Sequence, residues 1–141
     1  ADKVDNLVAL YLAGERATGS KDPYALRRYA LSIIRLVLEN KLNINIIKLL
    51  EETAKNISSN YDKELNEIIL FIEERFKYFL RNSFDINVIN AAINLRNNPF
   101  LPSAYSAAEA LNNFMQQENG RVLISLYKRS KNILCDNYQI I

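Results

Sequence analysis

The chain has 141 residues, 49% of them apolar and 24% charged, with a formal net charge of +2; this is the balance of an ordinary globular domain long enough to bury a core. It contains no His and a single Cys, which excludes Ser–His and Cys–His nucleophiles, His-ligated metal and an internal disulfide, and suits a reducing cytosol. No apolar run approaches the ~20 residues of a membrane span and the N-terminus lacks a signal-peptide pattern, so a cytoplasmic protein with no membrane partner is expected.

With only 3 Gly and 3 Pro, long uninterrupted elements are expected, and the apolar spacing is helical nearly throughout. A first helix is read over 2–13, with Val4, Leu7, Val8 and Tyr11 on one face and Gly14 just past its end. Residues 15–21 read as a loop. Asp22 as N-cap and Pro23 at the first helical position then open a helix to about Asn40. That helix is apolar almost all round, with a polar stripe of Arg28, Ser32, Arg35 and Glu39, which predicts a central place in the fold. A third helix is expected over 45–58, and a long fourth over 62–81. The fourth carries Leu65, Ile68, Ile69, Ile72, Phe76 and Phe79 as its stripe, with Glu73 and Lys77 as a supporting pair. Asp85 caps a fifth helix to about Leu95, ended by Asn97-Asn98-Pro99. Ser103 opens a sixth, Gly120 breaks it, and a seventh runs over 121–135. No segment alternates with period two. The expectation is an all-α, irregular bundle of about seven helices with no sheet.

The domain expectation is that residues 1–20 form the terminal helix and loop of a truncated preceding domain. Residues 21–141 would then form one helical domain, incomplete at its C-terminus. The first helix, its apolar face matched to an absent domain, is expected to pack poorly.

Few constellations carry chemistry. Gly14 to Lys21 looks like a phosphate loop but has Ser20 before Lys21 where that loop needs Lys then Ser or Thr, and it follows a helix rather than a strand. Lys21 beside the exposed N–H groups of the next helix start still suits a phosphate, against the plainer reading of a solvated loop. The doublets Glu51-Glu52 and Glu73-Glu74 do not make a metal or acid/base site, because adjacent helical residues point about 100° apart, and these carboxylates, like Asp2 and Asp5, read as solvated surface groups. Tyr11, Tyr24 and Tyr29 fall among apolar residues and read as core or interface. On the seventh helix Arg121, Ser125, Lys128 and Asn132 share a face, flanked by Arg129 and Lys131, with no acidic residue before Cys135. Its other side carries Val122, Leu126, Ser130 and Ile133. A cationic ridge of this kind is either a solvated face or a nucleic-acid surface.

Two segments go further. Ala1-Asp2-Lys3-Val4-Asp5-Asn6-Leu7 and Thr18-Gly19-Ser20-Lys21-Asp22-Pro23-Tyr24-Ala25-Leu26-Arg27-Arg28, continuing through Ala30, Leu31, Ile33, Ile34 and Arg35, closely resemble the bacterial-type glycyl-tRNA synthetase beta subunit. Leu126 to Leu134 is similar to a second segment of that family, with weaker likeness at Phe71 to Arg75 and at Asp85 with Val88-Ile89-Asn90-Ala91. Ala17, Ser32 and Ala9 depart from the pattern, standing for Pro, Gly and Gly. The resemblance places this chain at the end of an HD-like domain running into an anticodon-binding-type helical region that continues beyond Ile141.

The resemblance implies a non-catalytic, tRNA-recognising part of glycine–tRNA ligase, supporting the joining of glycine to tRNA(Gly). It implies partnership with a separate alpha subunit, which uses ATP and Mg, and with a second beta subunit in an assembly of two alpha and two beta chains. No cofactor, metal or catalytic residue is expected within this chain. The candidate tRNA contacts are Arg121, Lys128, Arg129, Lys131 and Asn132, then Lys21, Arg27 and Arg28. Arg28 and Arg35 are alternatively structural, neutralised by carboxylates on packed helices. One rival is a purely structural module that braces the subunit with little RNA contact. A distant one is a remnant of an HD-type hydrolase, which the absence of His disfavours.

Overall fold

The structure, a computed structural model, describes residues 2–139, with side chains described over 2–133. Among the described residues seven helices follow one another: α1 (Asp2–Leu12), α2 (Leu26–Glu39), α3 (Ile46–Ile57), α4 (Asp62–Leu80), α5 (Ile86–Ala92), α6 (Leu101–Gln116) and α7 (Glu118–Gln139). Among the described residues there is no strand, only isolated bridges at Thr18–Lys21 and Asn45–Phe100. The fold is all-α.

The expectation for α1 fails. Val4, Leu7, Val8 and Tyr11 are all buried, Leu7 and Val8 completely, and α1 packs on α2, α3 and α4. Burying each such aliphatic side chain contributes about 1.5–3 kcal/mol. Packing within this chain therefore satisfies an apolar stripe whose spacing alone points to an absent partner.

A clasp outside the apolar core reinforces α1. Arg16, in the loop after Gly14, donates from Nε to Glu67 Oε2 of α4 at 2.6 Å and from Nη1 to the carbonyls of Tyr11 and Glu15. Its guanidinium lies 4.4 Å from the centroid of the Tyr11 ring, and that ring meets Phe71 at 5.5 Å. Burial is the main cause that pushes the Tyr11 phenol up to about 12; Arg16 opposes the shift, and Glu67 adds to it.

The start of α2 differs from expectation. Pro23 and Tyr24 form a turn, Ala25 is left-handed (φ 54°, ψ 43°), and the helix begins only at Leu26. Asp22 still caps it, from further away, because its two carboxylate oxygens accept from Leu26 N and Arg27 N at 2.8 and 3.0 Å. The signal is right in kind and early by three residues: the turn after Pro23 lets the carboxylate reach over the helix end. α2 packs on α1, α4 and α6, which fits a central place, but Leu36 is 45% exposed, so it is less dry than its composition suggests.

α4 is the spine. Ile68, Ile69, Ile72, Phe76 and Leu80 are buried along it, and it packs on α1, α2, α3 and α5. Glu73 pairs with Lys77 at 3.4 Å, as their spacing predicts, and its second oxygen also accepts from Leu95 N at 3.1 Å. One carboxylate thus fixes the α5–α6 turn onto α4. Asn45 caps α3 through Lys48 N, and Ile46 N donates to the carbonyl of Pro99, which ties the α2–α3 loop to the start of α6.

Two later boundaries also move. α5 stops at Ala92 rather than near Leu95, and α6 opens at Leu101, with Pro102 in its first turn; Ser103 is not the cap but accepts from Asn98 Nδ2 at 3.1 Å. The α6–α7 break is at Gln117, with extended backbone (φ −79°, ψ 152°). Gly120 is not the breaker. It is buried inside the first turn of α7, where a Cβ would fall on the Phe114 carbonyl oxygen, 2.7 Å from that carbonyl carbon and 3.0 Å from Met115 Cα. Gly is needed there for close approach of two backbones.

Candidate nucleic-acid interface

α7 carries most of the candidate contacts. It packs on α6, and Arg121, Lys128, Arg129, Lys131 and Asn132 are all exposed. None of the four cations forms an ion pair among the described residues. Helical spacing puts Arg121, Ser125, Lys128 and Asn132 on one line. The opposite side is uncovered as well: Val122, Leu126 and Ile133 are each more than half exposed, and Tyr127 is 66% exposed. The side chain of Cys135 lies outside the described residues.

The second group of candidates divides. Lys21 is exposed in a tight turn, with reciprocal 2.8 Å backbone bonds to Thr18. The helix-start N–H groups, expected to be open to a phosphate, are already occupied by Asp22, so the favourable dipole end has its anion within the chain. Arg27 is half-buried and Arg28 exposed. Neither Arg28 nor Arg35 pairs with a carboxylate among the described residues, which corrects the reading of both as neutralised structural cations.

Arg27 and Arg28 instead open onto a groove of about 330 Å³ lined by Arg27, Arg28, Leu31, Arg75 and Tyr78. Arg75 and Tyr78 are absent from the candidates that the sequence suggests. The available signal is on α4: Arg75, Tyr78 and Arg81 recur at i, i+3 and i+6, one face of a helix. The guanidinium carbons of Arg75 and Arg81 lie 5.1 and 5.9 Å from the Tyr78 ring centroid. Tyr78 itself is 59% exposed, as is much of Tyr24, whereas Tyr11 is buried and Tyr29 half-buried.

The acidic doublets diverge as their spacing requires. Glu51 turns to Lys55 at 3.5 Å, Glu73 to Lys77, and Glu74 to Arg75. Among the described residues no three of His, Cys, Asp and Glu are grouped so as to hold a metal ion, and no helix is long and apolar enough to cross a membrane.

Comparison with known proteins gives a consistent picture. A family model described as glycyl-tRNA synthetase beta subunit matches residues 1–94. The glycine–tRNA ligase beta subunit of Rickettsia bellii is 47% identical over 134 residues, 95% of this chain and 20% of that protein. The beta subunits of Rickettsia conorii and Rickettsia felis are 44% and 46% identical over 136 and 134 residues, 96% and 95% of this chain. The chain spans about a fifth of the length of these curated relatives.

Proposed function

The chain belongs to the glycyl-tRNA synthetase beta subunit family, and on that premise we propose that this helical region recognises tRNA without catalysing a reaction of its own. It supports the joining of glycine to tRNA(Gly) by a cytoplasmic glycine–tRNA ligase. ATP, Mg and glycine are handled by an alpha subunit, and the assembly holds two alpha and two beta chains. The observation that carries the reading is α7: Arg121, Lys128, Arg129 and Lys131 are exposed along one helix that leaves the body at α6. A row of unneutralised cations presented to solvent is the electrostatic footprint of a phosphate backbone. The chain has no His, and among the described residues Glu51, Glu73 and Glu74 turn to neighbouring Lys and Arg rather than to one another.

The test replaces Lys128, Arg129 and Lys131 together with Glu in the whole ligase. Affinity for tRNA should fall with little regard to RNA sequence, because phosphate contacts position a nucleic acid without reading it. The slope of log affinity against log salt should flatten by about 0.7–0.9 for each phosphate that is no longer neutralised. Glycine activation without tRNA should stay at its wild-type rate.

A second reading, subunit bracing, is favoured by the exposed Val122, Leu126 and Ile133, which ask for an apolar partner. It forecasts unchanged tRNA affinity and salt slope after the triple reversal, with the damage appearing as lower thermal stability of the assembly.

A further inference from the structure

We propose that the groove between α2 and α4 binds one unpaired nucleotide of RNA, with its phosphate held by Arg27, Arg28 and Arg75 and its base stacked on Tyr78. The proposal rests on the tRNA-recognising reading above and adds a site on helices other than α7.

The lining is the first argument. Three of the five residues around the 330 Å³ groove are Arg, the others are Leu31 and Tyr78, and no carboxylate is among them. Guanidinium groups do not shed their protons in proteins, so three converging on one concavity repel one another unless an anion enters. A second cavity of about 180 Å³ shares Arg75 and Tyr78 and continues past Arg81 to Ile86 and Asn90. Its one carboxylate, Glu74, is 70% exposed and sits 3.3 Å from Arg75 Nη2, so it offsets one cation of the set and leaves the others.

Arg75 supplies the second argument. Its Nε is buried and finds no hydrogen-bond acceptor among the described residues. Buried polar groups are almost always satisfied, and a charged donor left without an acceptor is the costlier kind. The Arg75 side chain is still 19% exposed, so a phosphate in the groove would meet the accessible part of the guanidinium rather than Nε, and would neutralise a charge whose inner donor is unpaired.

Tyr78 selects the class of ligand. A bare phosphate needs no aromatic group, and an acidic peptide needs none either. Here an exposed ring stands beside three Arg side chains, with Arg75 and Arg81 flanking it along α4. Stacking of unpaired bases on aromatic rings and guanidinium planes, with phosphates on cations, is how proteins hold single-stranded RNA. A base inside a duplex could not reach the ring face. An isolated Arg–Tyr contact on a helix surface would be ordinary decoration; the concave, carboxylate-free lining and the orphaned Nε are what that explanation leaves out.

The test uses the whole ligase and a tRNA(Gly) transcript, with affinity measured across a salt series. Tyr78→Ala should weaken binding roughly 5- to 150-fold, the range for losing one base–aromatic stack, while Tyr78→Phe stays within about twofold. Tyr78→Leu keeps the apolar bulk and should lose as much as Ala, which separates loss of stacking from loss of fold. Arg28→Gln, at an exposed position, should reduce the salt slope by about 0.7. The triple reversal on α7 runs beside these variants. If it weakens binding while Tyr78→Ala and Arg28→Gln do not, the groove proposal is overturned and the tRNA-recognising reading stands. If none of the variants changes affinity, both are overturned. If Arg28→Gln acts but Tyr78→Ala does not, the groove takes a phosphate alone and the unpaired-nucleotide assignment fails.

Discussion

Replacing Arg16 with Met tests whether the clasp between α1 and α4 holds the N-terminal helix in place. Met keeps an apolar stem of similar reach and removes the guanidinium, so the change in packing is kept small. Four interactions disappear: the 2.6 Å pair with Glu67, the bonds to the Tyr11 and Glu15 carbonyls, and the cation over the Tyr11 ring. The two side chains of the pair are 29% and 36% exposed, so solvent screens it and its contribution is no more than about 1 kcal/mol. The cation–ring interaction adds about 1 kcal/mol and each carbonyl bond about 0.5–1 kcal/mol. Interactions that share one side chain do not add fully, so a loss of about 2 kcal/mol is expected. In a chain of this size that lowers the melting temperature by about 6 °C. Urea unfolding followed by far-UV circular dichroism, in a double-mutant cycle with Glu67→Gln, should give a coupling of about 0.5–1 kcal/mol between the two residues. A loss below about 0.5 kcal/mol for Arg16→Met, or strict additivity in the cycle, refutes the clasp.

Three further outcomes follow from local geometry. Gly120→Ala should alter the angle between α6 and α7, because the new Cβ meets the Phe114 backbone and any gain in helix propensity is only about 1 kcal/mol; spin labels at Asn113 and Ser130 that report an unchanged distance would contradict this. Since α7 packs chiefly on α6, the melting of the body should hardly move. Ala25→Gly should stabilise the chain by about 1 kcal/mol in urea unfolding, because Ala25 is left-handed, and no gain would mean that another backbone conformation prevails. Tyr11, held at about 12, keeps its proton more tightly folded than unfolded. Its share of stability is therefore complete below pH 10 and lost as pH rises toward 12, by about 2–3 kcal/mol; Tyr11→Phe should flatten stability over that window, and an unchanged pH slope would exclude Tyr11 as its source.

What is legible in the sequence is local. The stripe of α4, the Glu73–Lys77 pair and the Asn40 end of α2 all follow from spacing within one or two turns. Asp22 is legible as a cap but not in its reach, since the turn at 23–25 depends on a left-handed Ala that sequence gives no reason to expect. Gly120 misleads because a Gly near a helix end ordinarily signals a stop, whereas here it answers to a neighbouring backbone. The burial of α1 is not legible, because an apolar face does not name its partner. The cationic ridge of α7 is visible from periodicity alone. The groove is not, because it joins Arg27 and Arg28 to residues some fifty positions later on another helix. The Arg16–Glu67 pair spans 51 positions and has no local trace.

The junction at Gln117 and Gly120 has a mechanical side. At 1.5 Å per residue the 22 residues of α7 make a rod about 33 Å long. A rotation of about 10° at its base would carry the far end through about 6 Å while the near end scarcely moved. The ridge therefore has a graded tolerance along its length: Arg121, close to the pivot, keeps its address through small rotations, and Lys131 does not. Whatever fixes that pivot sets the reach of the arm, and the missing side chain at Gly120 is the part that sets how closely the two helices can seat.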